Sequence, residues 1–180
     1  MKAPEIIETA RLRLCKPMPT DVEDIFRRYA ADPAVTRYLS WPTHRTVADT
    51  QDFLAWSDSE WQRWPAGPWL LFARDGRAEP LLGSTGLAFQ TSTRAVTGYA
   101  FAQDAWGQGF ATEALLAMVE VARQTGVQRL EAFCHVDHRA SAHVLEKCGF
   151  LRETSLNEYF VFPNLAAGAR SDVLSYAVTF

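Results

Sequence analysis

Residues 105–114 read AWGQGFATEA, and the following stretch, LLAMVEVARQ, has the apolar spacing of an amphipathic helix. We predict that this helix runs from Thr112 to about residue 124. Its apolar face consists of Leu115, Met118, Val119 and Ala122. Glycine loses more conformational entropy on folding than any other residue, so a glycine pair placed directly before a helix needs a reason. Gly107 and Gly109 therefore indicate a loop that requires a bare main chain.

Three phosphate-binding patterns can be compared with WGQGFAT. The P-loop pattern requires a lysine after its second glycine, and none is present, which argues against nucleoside triphosphate hydrolysis. The dinucleotide pattern requires a third small residue where this chain has Thr112, and it belongs in a first strand-to-helix turn. The third pattern is a tight loop whose amides face a diphosphate at the positive end of a helix, and it needs no cation. A glycine-rich turn without a ligand is the alternative.

Composition and charge are those of an ordinary globular protein. The chain has 180 residues, of which 48% are hydrophobic and 22% charged, and we expect a single domain over residues 1–180. The net charge of −3 provides no basic field for nucleic acid. No apolar stretch approaches the roughly 20 residues of a membrane span, so we expect no membrane partner and a cytoplasmic location. Cys15, Cys134 and Cys148 lie far apart in apolar stretches, which suits reduced thiols.

The first part of the chain predicts one strand and two helices. Residues 11–15 alternate as RLRLC, which predicts a first strand. Residues 20–23 have the pattern of a capping box for a helix that ends near Ala31. Residues 46–49 give a second helix start, and Pro65 ends that helix. The second helix carries four large apolar residues, which we interpret as core residues first and as possible pocket walls second: Phe53, Leu54, Trp61 and Trp64.

The remaining chain predicts a mixed sheet. We expect a turn at Asp75 and Gly76, and Gly98 within a strand predicts a bulge or a close backbone approach. A helix over residues 139–148 ends at Gly149, as the preceding helix ends at Gly126. The predicted strands are residues 69–74, 81–89, 93–101, 129–135, 159–162 and 173–180. The fold class is therefore α/β, with several antiparallel strands followed by alternating strands and helices.

Two motifs resemble the GNAT superfamily of acyl-coenzyme A dependent N-acetyltransferases. These are YAFAQDAWGQGFATE at residues 99–113 and SAHVLEKCGF at residues 141–150. The chain is similar, more narrowly, to the Rim-type branch that acetylates the N-termini of ribosomal proteins. ETARLRL, DPAVTRYLSWP, LLGSTGL and SDVLSYAV match that branch in kind and order, so the resemblance covers nearly the whole chain.

The resemblance implies a mixed, mostly antiparallel sheet whose central strands, about residues 96–101 and 130–135, splay apart around acetyl-coenzyme A (acetyl-CoA). It implies no metal. The expected coenzyme contacts are Phe101, Ala102, Trp106, Gly107, Gln108, Gly109, Phe110, Ala111, Thr112 and His138. Trp106 departs from the Gln or Arg of the wider pattern but is usual in the Rim-type branch. His138 replaces a common asparagine, and a solvated loop histidine is the alternative.

The resemblance also bears on the catalytic residues. Many relatives have a tyrosine acid where this chain has Leu145, and the Rim-type branch uses a serine that matches Ser141. A helix cap is the alternative role for Ser141. Glu158 is the nearest match to the branch's carboxylate base, displaced by about two positions, and Glu153 matches a glutamate whose role looks structural. An ordinary exposed carboxylate is the alternative for Glu158.

We expect direct transfer of acetyl to a primary amine in a ternary complex. An α-amine, with a pKa near 7.7 to 8.0, needs less help from a base than lysine, so a protein or peptide N-terminus is the preferred acceptor. The alternatives are a small amine, in a pocket with walls from residues 41–64 and 157–168, and a coenzyme-binding module without catalysis. Zinc binding by Cys134, His135, His138 and Cys148 fits no standard spacing, and direct attack needs no cysteine nucleophile. The protein is expected to be a monomer or a homodimer.

Overall fold

The computed structural model describes residues 1–74, 80–165 and 168–180, and it contains an eight-stranded sheet in the order β1-β2-β3-β4-β5-β6-β8-β7. All neighbouring strands are antiparallel except β5 and β6, which are parallel. The strands are β1 (Ile6–Glu8), β2 (Leu12–Cys15), β3 (Pro68–Ala73), β4 (Leu81–Thr91), β5 (Arg94–Phe101), β6 (Arg129–His135), β7 (Leu151–Val161) and β8 (Arg170–Thr179). The α-helices are α1 (Val22–Ile25), α2 (Pro33–Thr36), α3 (Val47–Arg63), α4 (Phe110–Thr125) and α5 (Arg139–Lys147). The predicted α/β class with a mixed, mostly antiparallel sheet is confirmed.

Helix α4 connects the two parallel strands and buries the face that the sequence predicted. Leu115, Met118 and Ala122 are fully buried against the sheet. The helix begins at Phe110, two residues before the predicted start, because Gly109 at its N-cap has φ 80° and turns the chain directly into the first helical turn. Gly126 closes the helix with φ 87°, as predicted.

Strands β5 and β6 pair over only part of their length. Their parallel ladder joins residues 94–96 to residues 129–131, and beyond Val96 the two strands separate. The predicted splay is therefore present. The predicted bulge at Gly98 is wrong, because the β4–β5 register runs without a shift from Gly83 opposite Phe101 to Phe89 opposite Ala95. The space beside Gly98 comes from the divergence of β6.

The structure also corrects the first helical segment. A 3₁₀ turn (Pro19–Asp21), α1 and a π-helical turn (Phe26–Ala30) follow one another, and the amide of Ala31 donates to the carbonyl of Phe26, five residues earlier. Asp21, which accepts from the Met18 amide, performs the capping that residues 20–23 were expected to supply. The capping box at Thr46 and Asp49 is confirmed, with the Thr46 amide 2.9 Å from the carboxylate.

The chain ends contain more strand structure than the sequence predicted. β1 precedes the predicted first strand, and β7 and β8 extend the two predicted tail strands into a long hairpin. Most β7 residues are exposed on both faces, so they lack the alternating pattern that marks a half-buried strand. The predicted turn at Asp75 and Gly76 lies outside the described residues. Among the described residues, no helix is both long and apolar enough to cross a membrane.

Apolar residues on the two faces of the sheet form separate clusters. Phe101 belongs to the larger cluster, which includes the buried face of α4, whereas the neighbouring Ala100 belongs to a cluster with Tyr29 of the π-helical turn. Successive residues of a strand point to opposite faces, which explains the division. Trp61 is buried in the larger cluster, as expected for a core residue.

Candidate active site

The glycine loop ahead of α4 presents a row of unpaired amides. Gly107 and Gly109 have φ values of 72° and 80°, a left-handed conformation that favours glycine. Within the described part of the chain, the amides of residues 107–112 have no hydrogen-bond acceptor. Because the last three also belong to the first turn of α4, they lie at its positive end. This arrangement suits a diphosphate.

A cation that the sequence did not predict lies beside this loop. Arg11 donates from Nη1 to the carbonyl of Gln108 at 2.8 Å and from Nε to Glu113 at 2.8 Å. Its guanidinium carbon is 4.7 Å from the centre of the Phe110 ring. A Cβ on Gly109 would stand 3.4 Å from Arg11 Nη2. Arg11 is nearly 100 residues away in sequence and belongs to an ordinary strand pattern, so no local signal could reveal this contact.

Glu113 fixes Arg11 to the start of α4. Its carboxylate accepts from the Arg11 amide at 2.8 Å and from the hydroxyl of Thr9 as well. Burial raises the pKa of Glu113, but the hydrogen bonds from Thr9 and Arg11 outweigh this effect, and the net direction is downward. The carboxylate therefore stays ionised and keeps the guanidinium against the loop.

The register of β4 and β5 decides which backbone groups face the gap beside β6. The Ala102 amide donates to the Leu82 carbonyl at 2.8 Å, so the expected coenzyme contact by this amide is wrong. In an antiparallel pair, hydrogen-bonded and non-hydrogen-bonded positions alternate. Tyr99 and Phe101 therefore direct their amides away from β4 and into the gap. The amide of Phe101, a predicted contact, thus faces the gap, and so does the amide of Tyr99, which the sequence did not predict.

A cavity of about 340 Å³ lies in the gap between the separated ends of β5 and β6. Ser141 in the first turn of α5 lines it, and the Tyr99 hydroxyl donates to Ser141 Oγ at 3.3 Å. Burial raises the pKa of Tyr99 to about 12, so the phenol remains protonated. Burial also raises the pKa of Cys134, which lies beside Ser141, to about 11. Tyr99 and Ser141 thus supply two neighbouring hydroxyls to the cavity wall, and Cys134 supplies an un-ionised thiol.

His138 also lines this cavity. It is the N-cap residue of α5, and its ring stacks on Tyr38 with centroids 4.8 Å apart. Burial, together with nearby His135, lowers the pKa of His138. His135 contacts Tyr38 and Phe162, whereas Cys134 lies beside Ser141, as strand alternation predicts. Among the described residues, no group of His, Cys, Asp or Glu has the arrangement of a metal site.

The structure does not bring Glu158 to this site. Its side chain is exposed, its φ is 45°, and its amide donates to Asp172 within an irregular stretch of the β7–β8 register. Glu158 does not line the cavity between β5 and β6. Glu153 makes a two-pronged ion pair with Arg129, which supports the expected structural role. Leu145 is buried beneath the cavity and supplies no hydroxyl.

A larger cavity of about 890 Å³ lies beside the same stretch of β5. Residues 96–99 line both cavities, so an occupant of one can approach an occupant of the other across the strand. Trp41, Phe53 and Trp56 line the larger cavity, within the first segment from which pocket walls were predicted. From the second predicted segment, Asn164 binds the backbone of the loop that carries Trp41.

His44 is a titratable residue in the wall of the larger cavity that the sequence gave no reason to choose. Its Nδ1 lies 2.8 Å from the Thr50 hydroxyl, and its ring is 5.1 Å from that of Trp41. Burial lowers the pKa of His44, and the nearby Asp49 only partly offsets this effect. The imidazole is therefore mainly neutral near pH 7.

Comparisons with known proteins agree with this geometry. The acetyltransferase (GNAT) domain family matches residues 11–151. The chain is 29% identical over 157 residues to the uncharacterized N-acetyltransferase YoaA of Bacillus subtilis, covering 86% of this chain and 87% of YoaA. Its fold is similar to that of the microcin C7 self-immunity acetyltransferase MccE, solved with acetyl-CoA and AMP (TM-score 0.86, 18% identity, 99% and 98% coverage). It is also similar to a Salmonella typhimurium acetyltransferase that modifies the N-terminal serine of ribosomal protein L7/L12 (TM-score 0.84, 22% identity, 98% and 99% coverage).

Proposed function

The chain belongs to the GNAT family of acetyltransferases, and from this premise we propose that it transfers acetyl from acetyl-CoA to the α-amine of a peptide or protein N-terminus. One observation carries the proposal. The gap between β5 and β6 opens beside a row of unpaired amides, and a second cavity shares the β5 wall of that gap. The site thus has room for a coenzyme and an acceptor on either side of one strand.

Acetyl-CoA would extend from the glycine loop into the first cavity. The amides of residues 107–112 and the Arg11 guanidinium would hold the diphosphate, and the gap beside Gly98 would take the pantetheine arm. The amides of Tyr99 and Phe101 face the gap and would donate to the thioester carbonyl. Backbone donors of this kind stabilise the negative charge that develops on the carbonyl oxygen during acyl transfer.

The acceptor would occupy the larger cavity. Its neutral amine attacks the thioester carbonyl carbon, the carbon–sulfur bond breaks, and the amine loses a proton while the leaving thiolate gains one. An α-amine is partly neutral near pH 7, and the neutral imidazole of His44 is available to take its proton. Ser141, hydrogen-bonded by the protonated Tyr99, would donate to the leaving sulfur. No covalent enzyme intermediate is required.

A small-molecule amine is the second candidate acceptor. The aromatic side chains around the larger cavity, and the loop that Asn164 holds over it, favour a compact occupant. The solved structure of MccE, whose fold is similar, contains AMP in addition to acetyl-CoA. A peptide acceptor must continue out of the cavity beyond its first residue, whereas a small amine need not.

The test is a thiol-release screen with acetyl-CoA and three groups of amines: peptides with free and blocked N-termini, monoamines, and polyamines or aminoglycosides. We expect release with free peptides, no release with blocked peptides that retain a lysine, and an acetyl group on the peptide N-terminus by mass spectrometry. Release only with small amines would favour the second candidate. Coenzyme binding by calorimetry without release from any amine would mean a binding module without catalysis.

A further inference from the structure

We propose that the larger cavity recognises the first side chain of the acceptor and that this side chain is a large aromatic one. The inference rests on the proposed function, because it assigns the substrate class of the same site. It is carried by the volume, the lining and the charges of the cavity.

The dimensions of the cavity suit a large group next to the reacting amine. Its volume of about 890 Å³ lies near the upper end of the range of roughly 300–1,000 Å³ typical of ligand pockets. An amine at the β5 wall would leave most of this volume for its substituent. A serine or alanine side chain would fill little of it.

The walls of the cavity are largely aromatic. Trp41, Phe53 and Trp56 line it, and the Phe53 and Trp56 rings are 5.9 Å apart. Trp56 remains 46% exposed, although tryptophan gains much from burial. Burying a large apolar side chain contributes about 1.5–3 kcal/mol, and aromatic ring pairs add about 0.5–1.5 kcal/mol. An aromatic first residue would use both contributions.

Charged side chains are confined to the exposed rim. Arg45, Asp49 and Asp52 are the charged residues in the described lining, and all three are exposed. The Asp49 carboxylate already accepts from the amides of Arg45 and Thr46. A polyamine or aminoglycoside would bring further ammonium groups into an interior without paired carboxylates, which is costly. The cavity therefore favours an acceptor with a single amine in its buried part.

Tyr29, on the π-helical turn, forms part of the inner wall of the cavity. Its side chain is 1% exposed, and its hydroxyl lies beside that of Ser84 in the same wall. Burial raises the pKa of this phenol, so it stays un-ionised and adds no charge to the interior. This part of the wall is therefore uncharged, which suits an apolar side chain.

Asn164 holds the wall in a fixed position. Its Nδ2 donates to the carbonyls of Thr36 and Trp41 at 2.7 and 2.8 Å, and its Oδ1 accepts from the Thr43 amide at 2.8 Å. The loop that carries Trp41 is therefore tied to the β7–β8 connection. A preformed wall reduces the ordering cost of binding.

The experiment compares peptides that differ only in the first residue: Tyr, Trp, Phe, Ser and Lys. We expect kcat/KM to be at least about 10-fold higher for Tyr, Trp and Phe than for Ser. Trp56→Ala should lower kcat/KM about 10-fold for the Tyr peptide and much less for the Ser peptide, and it should leave coenzyme affinity within twofold. Leu116→Ala, an exposed apolar truncation on α4, is the control.

Peptide binding to the complex with coenzyme A is measured in parallel by calorimetry, so recognition has a readout that does not require turnover. Equal affinity and kcat/KM for all first residues would overturn the inference and leave the proposed function intact. Tighter binding of the Tyr peptide without acetylation of any peptide would support the inference and reject the peptide as substrate. Preference for the Lys peptide would also overturn the inference.

Discussion

Replacing Arg11 with alanine should weaken coenzyme A binding about 5- to 30-fold. Arg11 connects the N-terminal part of the sheet to the glycine loop, and we infer that its contacts with the loop are energetically important. Its guanidinium joins the Gln108 carbonyl to the Glu113 carboxylate and covers Phe110. Without Arg11, the loop amides are no longer held in one orientation, and the diphosphate has one cation fewer beside it.

The magnitude follows from the two hydrogen bonds and their exposure. Hydrogen bonds to charged groups contribute about 1.5–3 kcal/mol when buried, whereas exposed ion pairs contribute about 0.2–1 kcal/mol. The Arg11 side chain is 49% exposed and that of Glu113 17%, so each bond is taken at about 0.5–1 kcal/mol. Together they stabilise the binding conformation of the loop by about 1–2 kcal/mol. Without them, coenzyme A must itself order the loop, and this cost corresponds to an increase of about 5- to 30-fold in the dissociation constant.

Calorimetry with coenzyme A at low and high salt tests the prediction. Arg123→Ala is the matched control, because Arg123 also makes one ion pair on α4 and covers one ring, but at the opposite end of the helix. Wild type and Arg123→Ala should lose affinity similarly with salt, and Arg11→Ala should lose less because one cation is already gone. An Arg11→Ala variant that melts like the control and binds coenzyme A within twofold of wild type would refute the reasoning.

Three further outcomes are expected. Gly109→Asp should abolish coenzyme binding, since it places aspartate at an unfavourable φ of 80° and adds a negative charge at the diphosphate position. Gly126→Asp has similar backbone strain at the far end of α4 and should keep binding. Equal losses of coenzyme affinity in calorimetry for the two variants would show that the loop does not hold the diphosphate. Ser141→Ala should lower kcat at least about 10-fold with little change in coenzyme affinity. If this variant keeps the wild-type rate in a single-turnover assay, a group other than Ser141 donates the proton. Burial lowers the pKa values of His44 and His138, so the unfolded chain binds more protons than the folded chain once the pH falls below about 6.5. The urea midpoint should therefore be highest above about pH 6.5 and should fall as the pH drops below it, and His44→Gln should flatten this slope. The same slope in wild type and in His44→Gln would contradict the prediction.

Several features could be predicted from the sequence because they depend on local chemistry. The left-handed positions of Gly109, Gly126 and Gly149 follow from what glycine allows and other residues resist. The buried face of α4 follows from helical periodicity, and β6 was predicted with its observed bounds because its residues are nearly all buried. Motif resemblance added the separation of β5 from β6, which no single strand pattern contains.

The candidate site was only partly predictable. Ser141 and His138 lie in one cavity, as expected, but Glu158 is exposed, because the irregular register between β7 and β8 turns it away. The Ala102 amide pairs with Leu82 and does not face the gap, since the register between β4 and β5 determines which amides are free. A register is a property of two strands, and one strand's sequence does not specify it.

Tertiary structure alone decided the contacts between distant segments. Arg11 reaches the loop before α4 only because β2 and α4 pack together, and Tyr29, His44 and Trp56 surround one cavity only because a π-helical turn and α3 cover the same part of the sheet. Main-chain conformation is local, so the amino-acid sequence alone determined the cradle of bare amides. Side-chain proximity across the fold depends on packing, so only the folded chain shows the cation beside that cradle and the walls of the larger cavity.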